Sequence, residues 1–214
     1  MLTQAFQYAL KPNKGAEVAQ QLGKVAIEIC EGQQMDLNFE TLGNVTIPEY
    51  LEMIRLKTAV LLATALQMGA TVAGAKASDI RHLYDFGINL GMSFQLQDDI
   101  LDLYSDVAVF GKRHGGDIAD NKKTYLYLKA LELGSERDRK RLEQLFTLRM
   151  DHDEEEKIEE VQSIYDRLHV RDAVEQVMLD YDRKAFEALK AIDLPEERKK
   201  HLCTYAELLS GRKK

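Results

Sequence analysis

Proline is almost missing from this sequence, with three in 214 residues. Alternating β-branched runs are as scarce, so a sheet-rich or loop-rich chain is excluded and an all-α fold is expected. Cysteine occurs only as Cys30 and Cys203. Each sits in an apolar helical pattern, which points to buried, reduced thiols rather than a disulfide framework. No apolar stretch approaches the roughly 20 residues of a membrane span, and the opening MLTQAFQYAL lacks the layout of a signal peptide, so the cytoplasm is the expected location. The five histidines stand singly and make no zinc or haem spacing. Basic residues are outnumbered, 29 to 36, and the net charge of −7 argues against general nucleic-acid binding. No linker, repeat or low-complexity segment divides residues 1–214, which read as one helical unit.

Helical signals fill the chain. Residues 2–10 form a helix closed by the KPNKG turn at 11–15. A second helix over about 16–36 places Val18, Leu22, Val25, Ile29 and Met35 on an apolar face. Thr46 and Glu49 make a capping-box pattern with Pro48 in the first turn, opening a helix to about Met68. Ser78 is the expected cap of a long central helix that ends near Tyr104, and Gly87 and Gly91 inside it imply close packing or a bend. Further helices are expected over 121–133, from Ser135, and over about 155–168, 170–192 and 196–210. The acidic run DHDEEEKIEE, Asp151 to Glu160, reads as a solvated helix start.

Chemistry concentrates between residues 86 and 124. There an apolar helix carries Asp98, Asp99 and Asp102, and a glycine-rich basic segment follows. Asp98 and Asp102 stand one turn apart, roughly 6 Å along the axis, with Asp99 beside them. Like charges among Phe94, Leu96, Ile100 and Leu101 call for a cation, and Mg²⁺ suits a few carboxylates bridged to substrate phosphates. Downstream, Gly111, Gly115 and Gly116 let backbone amides approach an anion, and Lys112, Arg113, Lys122 and Lys123 supply positive charge. A bare trio of this kind is equally read as a solvated acidic stripe. Lys57, in the apolar run RLKTAVLLATAL, is either a snorkelling lysine or a buried charge with a partner.

The pattern FQLQDDILD (Phe94 to Asp102), GKRHGGDI (Gly111 to Ile118) and NKKT (Asn121 to Thr124) resembles the second aspartate-rich region of the trans-polyprenyl diphosphate synthases. LKTA (Leu56 to Ala59) resembles their Lys-Thr motif, and EGQQMD (Glu31 to Asp36) their Gly-Gln-x-x-Asp motif. The four stand in the family's order over nearly the whole chain. The resemblance implies an isoprenoid synthase bundle and Mg²⁺-dependent head-to-tail condensation of isopentenyl diphosphate with an allylic diphosphate. It assigns Asp98, Asp99 and Asp102 to metal, and Lys57, Lys112 and Lys122 to diphosphate. Gln33 and Asp36 fall along the reaction cavity, and Thr58 and Gln95 beside the cation.

One departure accompanies the match. The family's first DDxxD motif and the Gly-Lys-Arg segment before it are not found, and the only Asp-Asp pair is Asp98 and Asp99. The chain therefore reads as the C-terminal two-thirds of the family fold, with little or no condensation activity alone. A homodimer through residues of about 16–70 is expected. A non-catalytic subunit of a longer synthase and a terpene cyclase of the same fold are the alternatives, the Lys-Thr and GKxxGxD features weighing against the cyclase.

Overall fold

The computed structural model describes residues 1–105, 113–147 and 154–210, and among them every regular element is helical. The all-α expectation holds. Lys112, Gly111 and the Asp151–Asp153 start of the acidic run lie outside the described residues.

After α1 (Leu2–Ala9), α2 (Gly15–Thr41) buries Val18, Val25, Gly32 and Phe39, a seven-residue repeat that makes one inward seam. Phe39 extends this seam, so the helix outlasts its expected end near 36. The opposite face is wet. Cys30, one turn from the exposed Ile27, lies on that face and is exposed, against the expected burial; Cys203 is half-buried, and neither forms a disulfide.

The expected capping box opens α3 (Ile47–Ile54): the Thr46 N–H donates to Glu49 Oε2 at 2.8 Å, and the Glu49 N–H donates to Thr46 Oγ1 at 3.4 Å. The helix continues into α4 (Val60–Val72) through a wide π turn, Arg55–Ala59, where the Val60 N–H reaches back to the Arg55 carbonyl. Such turns often mark functional positions. This one carries Lys57 and Thr58.

The axis of the molecule is α5 (Ala77–Tyr104). It starts before Ser78, which makes no capping bond. Its neighbour Asp79 is buried instead and accepts the Asp193 N–H at 3.1 Å, which ties the helix start to the turn after Lys190. Packing, not bending, explains the glycines. A Cβ on Gly87 would lie 2.5 Å from Ala63 Cα, and one on Gly91 would lie 2.6 Å from Ala59 Cα. Each glycine costs about 1 kcal/mol of helix propensity. Burial of Phe86, Leu90, Leu96 and Leu103 on the same helix offsets this at about 1.5–3 kcal/mol each.

Beyond α5 come one helical turn, α6 (Gly116–Ala119), then α7 (Tyr125–Leu133), α8 (Glu136–Leu145), α9 (Glu154–Arg167), α10 (Val170–Lys190) and α11 (Glu196–Ser210). Helix α7 begins later than expected because Asn121 adopts a left-handed φ of 57° and the Lys122 N–H turns back to the Asp117 carbonyl at 2.9 Å. Glu154, Glu155 and Glu156 occupy the first turn of α9, as the acidic run suggested, while Lys157 and Ile158 behind them are buried. One apolar core joins α3, α5, α7 and α9; a second gathers Phe86 and Leu90 with Leu189, Ile192 and Ala206. Among the described residues, no helix is long and apolar enough to cross a membrane.

Candidate active site

A cavity of about 490 Å³ opens where the end of α2, α3 with its π turn, the second half of α5 and residues 113–124 meet. Asp98, Asp99 and Asp102 line one side with Gln95, and Asp36, Lys57 and Lys122 line others. Two expected residues are not among those that line the cavity: Gln33 is exposed, and Thr58 stands behind Gln95, to which its hydroxyl donates, while Lys112 lies outside the described residues.

Lys57 owes its place to a glycine. A Cβ on Gly32 would stand 2.4 Å from the Lys57 backbone nitrogen, so α2 and the π turn are in backbone contact there. One turn further along α2, Asp36 receives the Lys57 ammonium at 2.5 Å. The end of α2 is fixed in turn by Lys123, whose Nζ donates to the Phe39 carbonyl at 2.8 Å and to that of Leu42. The sequence placed Lys123 among the anion-facing cations. It lines the cavity and at the same time caps α2, and burial lowers its pKa.

The glycine-rich turn is fastened to α5. The Gly115 N–H donates to the Asp102 carbonyl at 2.8 Å, and the Asp117 N–H to Asp102 Oδ2 at 2.9 Å. Gly115, at φ 64°, presses on Ile158 where a Cβ would lie 2.7 Å from that side chain. Lys157 supports the same turn from α9 by donating to Asn121 Oδ1 at 2.6 Å. Arg113 pairs with Glu154. Lys122 donates to Asp117 at 2.8 Å; burial works to lower its pKa, but the hydrogen bond and charge of Asp117 hold it raised.

Asp99 differs from its two neighbours. It is 3% exposed, while Asp98 and Asp102 are half-buried. Tyr50 OH donates to Asp99 Oδ2 at 2.5 Å, the Tyr125 N–H to the same oxygen at 3.4 Å, and Gln95 Nε2 to Oδ1 at 3.3 Å. Burial raises its carboxyl pKa to about 7, against the hydrogen bond from Tyr50 and with further upward push from Asp117. The Tyr50 hydroxyl is itself held well above its usual value by burial and by Asp99. Gln95 Oε1 accepts the Thr58 hydroxyl at 3.1 Å.

Sequence reasoning missed Tyr50, Asp117 and Lys157. Asp117 lay inside the quoted GKRHGGDI motif and could have been noted there. Tyr50 carries no local signal beyond a polar group in an otherwise apolar helix face, and Lys157 stands in an acidic run that hides it. Among the described residues, no group of three or more His, Cys, Asp or Glu side chains is arranged to hold a metal unaided. Asp98 and Asp102, one turn apart on the cavity, are a donor set that fits a hard cation coordinated mainly by water and substrate oxygens.

Solved structures share the helical architecture. A crystal structure of a geranylgeranyl pyrophosphate synthase superposes with a TM-score of 0.87 at 40% identity, over 94% of this chain and 62% of its own. The geranylgeranyl pyrophosphate synthetase of Pyrococcus horikoshii gives a TM-score of 0.87 at 31% identity, over 99% of this chain and 64% of its own. These likenesses define an isoprenoid synthase bundle. In sequence, the short chain isoprenyl diphosphate synthase of Methanothermobacter thermautotrophicus is 36% identical across 92% of this chain and 61% of that protein. The polyprenyl synthetase family model matches residues 1–166, and the chain belongs to that family. It spans less than two thirds of the length of each of these three relatives.

Proposed function

We propose that the cavity binds the diphosphate of an isoprenoid substrate through Mg²⁺, and that the parent activity is head-to-tail condensation of isopentenyl diphosphate with an allylic prenyl diphosphate. The observation that carries this reading is the convergence on one cavity of the α5 carboxylates with Lys57 and Lys122. Asp98 and Asp102 would hold Mg²⁺, which when bound supplies positive charge to the departing diphosphate. Lys57 and Lys122 orient the same anion, exchanging their contacts with Asp36 and Asp117 for phosphate oxygens. Thr58 and Gln95 offer oxygen dipoles to the positive hydrocarbon left behind. Met53 and Ile54, buried on the cavity wall, give its apolar chain a dry surface.

For this chain on its own we propose little or no condensation. A metal clamp around a diphosphate needs carboxylates from facing walls, and Asp98–Asp99 is the only Asp-Asp pair in the sequence. Incorporation of radiolabelled isopentenyl diphosphate at substantial turnover by this chain would overturn that. The single Asp-Asp pair also favours a second reading, a non-catalytic subunit of a longer synthase, which co-purification with a longer homologue would support. Exposed Ile27 and Leu61, within the residues expected to pair, support a homodimer; a monomeric mass by light scattering at micromolar concentration counts against it. Cysteines without a disulfide agree with a cytoplasmic location. The reading of the cavity is tested by calorimetry with inorganic pyrophosphate, where binding in Mg²⁺ and its loss in EDTA are expected.

A further inference from the structure

The three aspartates of α5 do not share one environment. Asp98 and Asp102 line the cavity half-buried, whereas Asp99 is 3% exposed and takes hydrogen bonds from Tyr50, Gln95 and the Tyr125 N–H. A carboxylate offers about four lone-pair directions. Three of those on Asp99 are filled by donors that arrive from three different elements, α3, α5 and the start of α7.

We infer that Asp99 is a positioning residue, locked by Tyr50, whose task is to fix the side-chain amide of Gln95 with its carbonyl towards Thr58. The orientation follows from the contacts: Tyr50 and the Tyr125 N–H occupy Oδ2, and the free Oδ1 faces Gln95 Nε2 at 3.3 Å. Oε1 is then left to accept the Thr58 hydroxyl, at 3.1 Å. With its proton committed to Gln95, Thr58 Oγ1 keeps only lone pairs for a third partner. That polarity suits positive charge on a hydrocarbon and opposes an anion. This last step rests on the diphosphate reading of the cavity; the Thr58, Gln95, Asp99 and Tyr50 relay does not.

The test uses the full chain, labelled with ¹⁵N, and follows the Gln95 side-chain amide by NMR. Tyr50→Phe and Asp99→Asn are each expected to speed exchange of the Gln95 Nε2 protons about tenfold or more. Asn in place of Asp99 turns a donor against donors. A merely structural role would loosen the backbone amides of α5 to the same degree; the expected change is confined to Gln95 and Thr58. In the same samples Mn²⁺ binding with inorganic pyrophosphate is read by electron paramagnetic resonance. Asp98→Asn and Asp102→Asn should each weaken it by about tenfold or more, and Tyr50→Phe should weaken it by clearly less than either. Unchanged Gln95 exchange in Tyr50→Phe, or loss of Mn²⁺ affinity equal to that of Asp98→Asn, overturns the inference. A wild-type chain that binds no Mn²⁺ with pyrophosphate sinks the diphosphate reading alone, because Gln95 exchange still decides the positioning role. Tyr50→Phe carries the decision if Asp99→Asn does not fold.

Discussion

Gly32 meets the backbone of Lys57 so closely that a Cβ on the glycine would stand 2.4 Å from the lysine nitrogen. The contact sets the distance between α2 and the π turn, and through it the pairing of Asp36 with the Lys57 ammonium. Gly32→Ala should therefore push the two elements apart. Overpacking of this kind costs about 1–3 kcal/mol, so the thermal midpoint should fall, and pyrophosphate affinity should fall with it. An alanine variant with wild-type midpoint and affinity would show that the contact is slack.

Asp99 provides a pH signature. Its folded pKa of about 7 stands above the ordinary 3.8 because burial favours the neutral acid. The folded state then holds the proton more tightly than the unfolded state. Its contribution to stability is full below about pH 4 and is lost as pH rises through about 7. A ¹³C carboxyl titration of Asp99 without divalent metal should show a midpoint near 7. Tyr50→Phe should move it higher, because the tyrosine hydrogen bond lowers it. A midpoint at the ordinary carboxylate value, unmoved by Tyr50→Phe, would remove the buried-acid picture.

The seam of the π turn and α4 against α5 is the second tight contact. At Gly91 a Cβ would lie 2.6 Å from Ala59 Cα, so Gly91→Val adds three carbons where none fits. Destabilisation by several kcal/mol is expected, on the order of the upper range for overpacked cores. Urea unfolding measures it. A loss below about 0.5 kcal/mol would mean the helices separate freely.

Lys123→Met keeps the aliphatic stem and removes the cap on α2. The Phe39 and Leu42 carbonyls lose their charged donor. Hydrogen exchange should quicken in the last turn of α2, near Asn38 and Leu42, by about tenfold, with little change in α9. Equal protection before and after would assign the end of α2 to other contacts.

The helices were legible because their signals are local. The Thr46 and Glu49 capping box, Pro48 and the seven-residue seam of α2 each act within a few residues, and the longer helices stand close to where they were expected, whereas α6 and the π turn between α3 and α4 were not expected. Gly87 and Gly91 announced a close approach without naming the partner, since Ala59 and Ala63 lie on another helix. The acidic helix, Lys57 and Lys122, which share one cavity, were singled out by their motifs. Their separate duties were not. Cys30 read as buried because its neighbours are apolar, yet which face of α2 turns inward depends on what packs there. The capping role of Lys123 was hidden because its carbonyl partners stand 84 and 81 residues away in sequence. Lys157 read as part of a solvated acidic face for the same reason, its partner Asn121 being 36 residues distant.

The wide turn at Arg55–Ala59 also constrains what the gene can tolerate. Each residue of a helix advances the chain by about 100°, so removing one from this turn would straighten the rod and swing all that precedes it by that angle. Tyr50 would leave Asp99 and rotate toward solvent or the wrong neighbour, while α4 and its alanine seam stayed put. Length here is a phase setting: the segment can exchange side chains, but a one-codon deletion would unhook the cavity from its own floor.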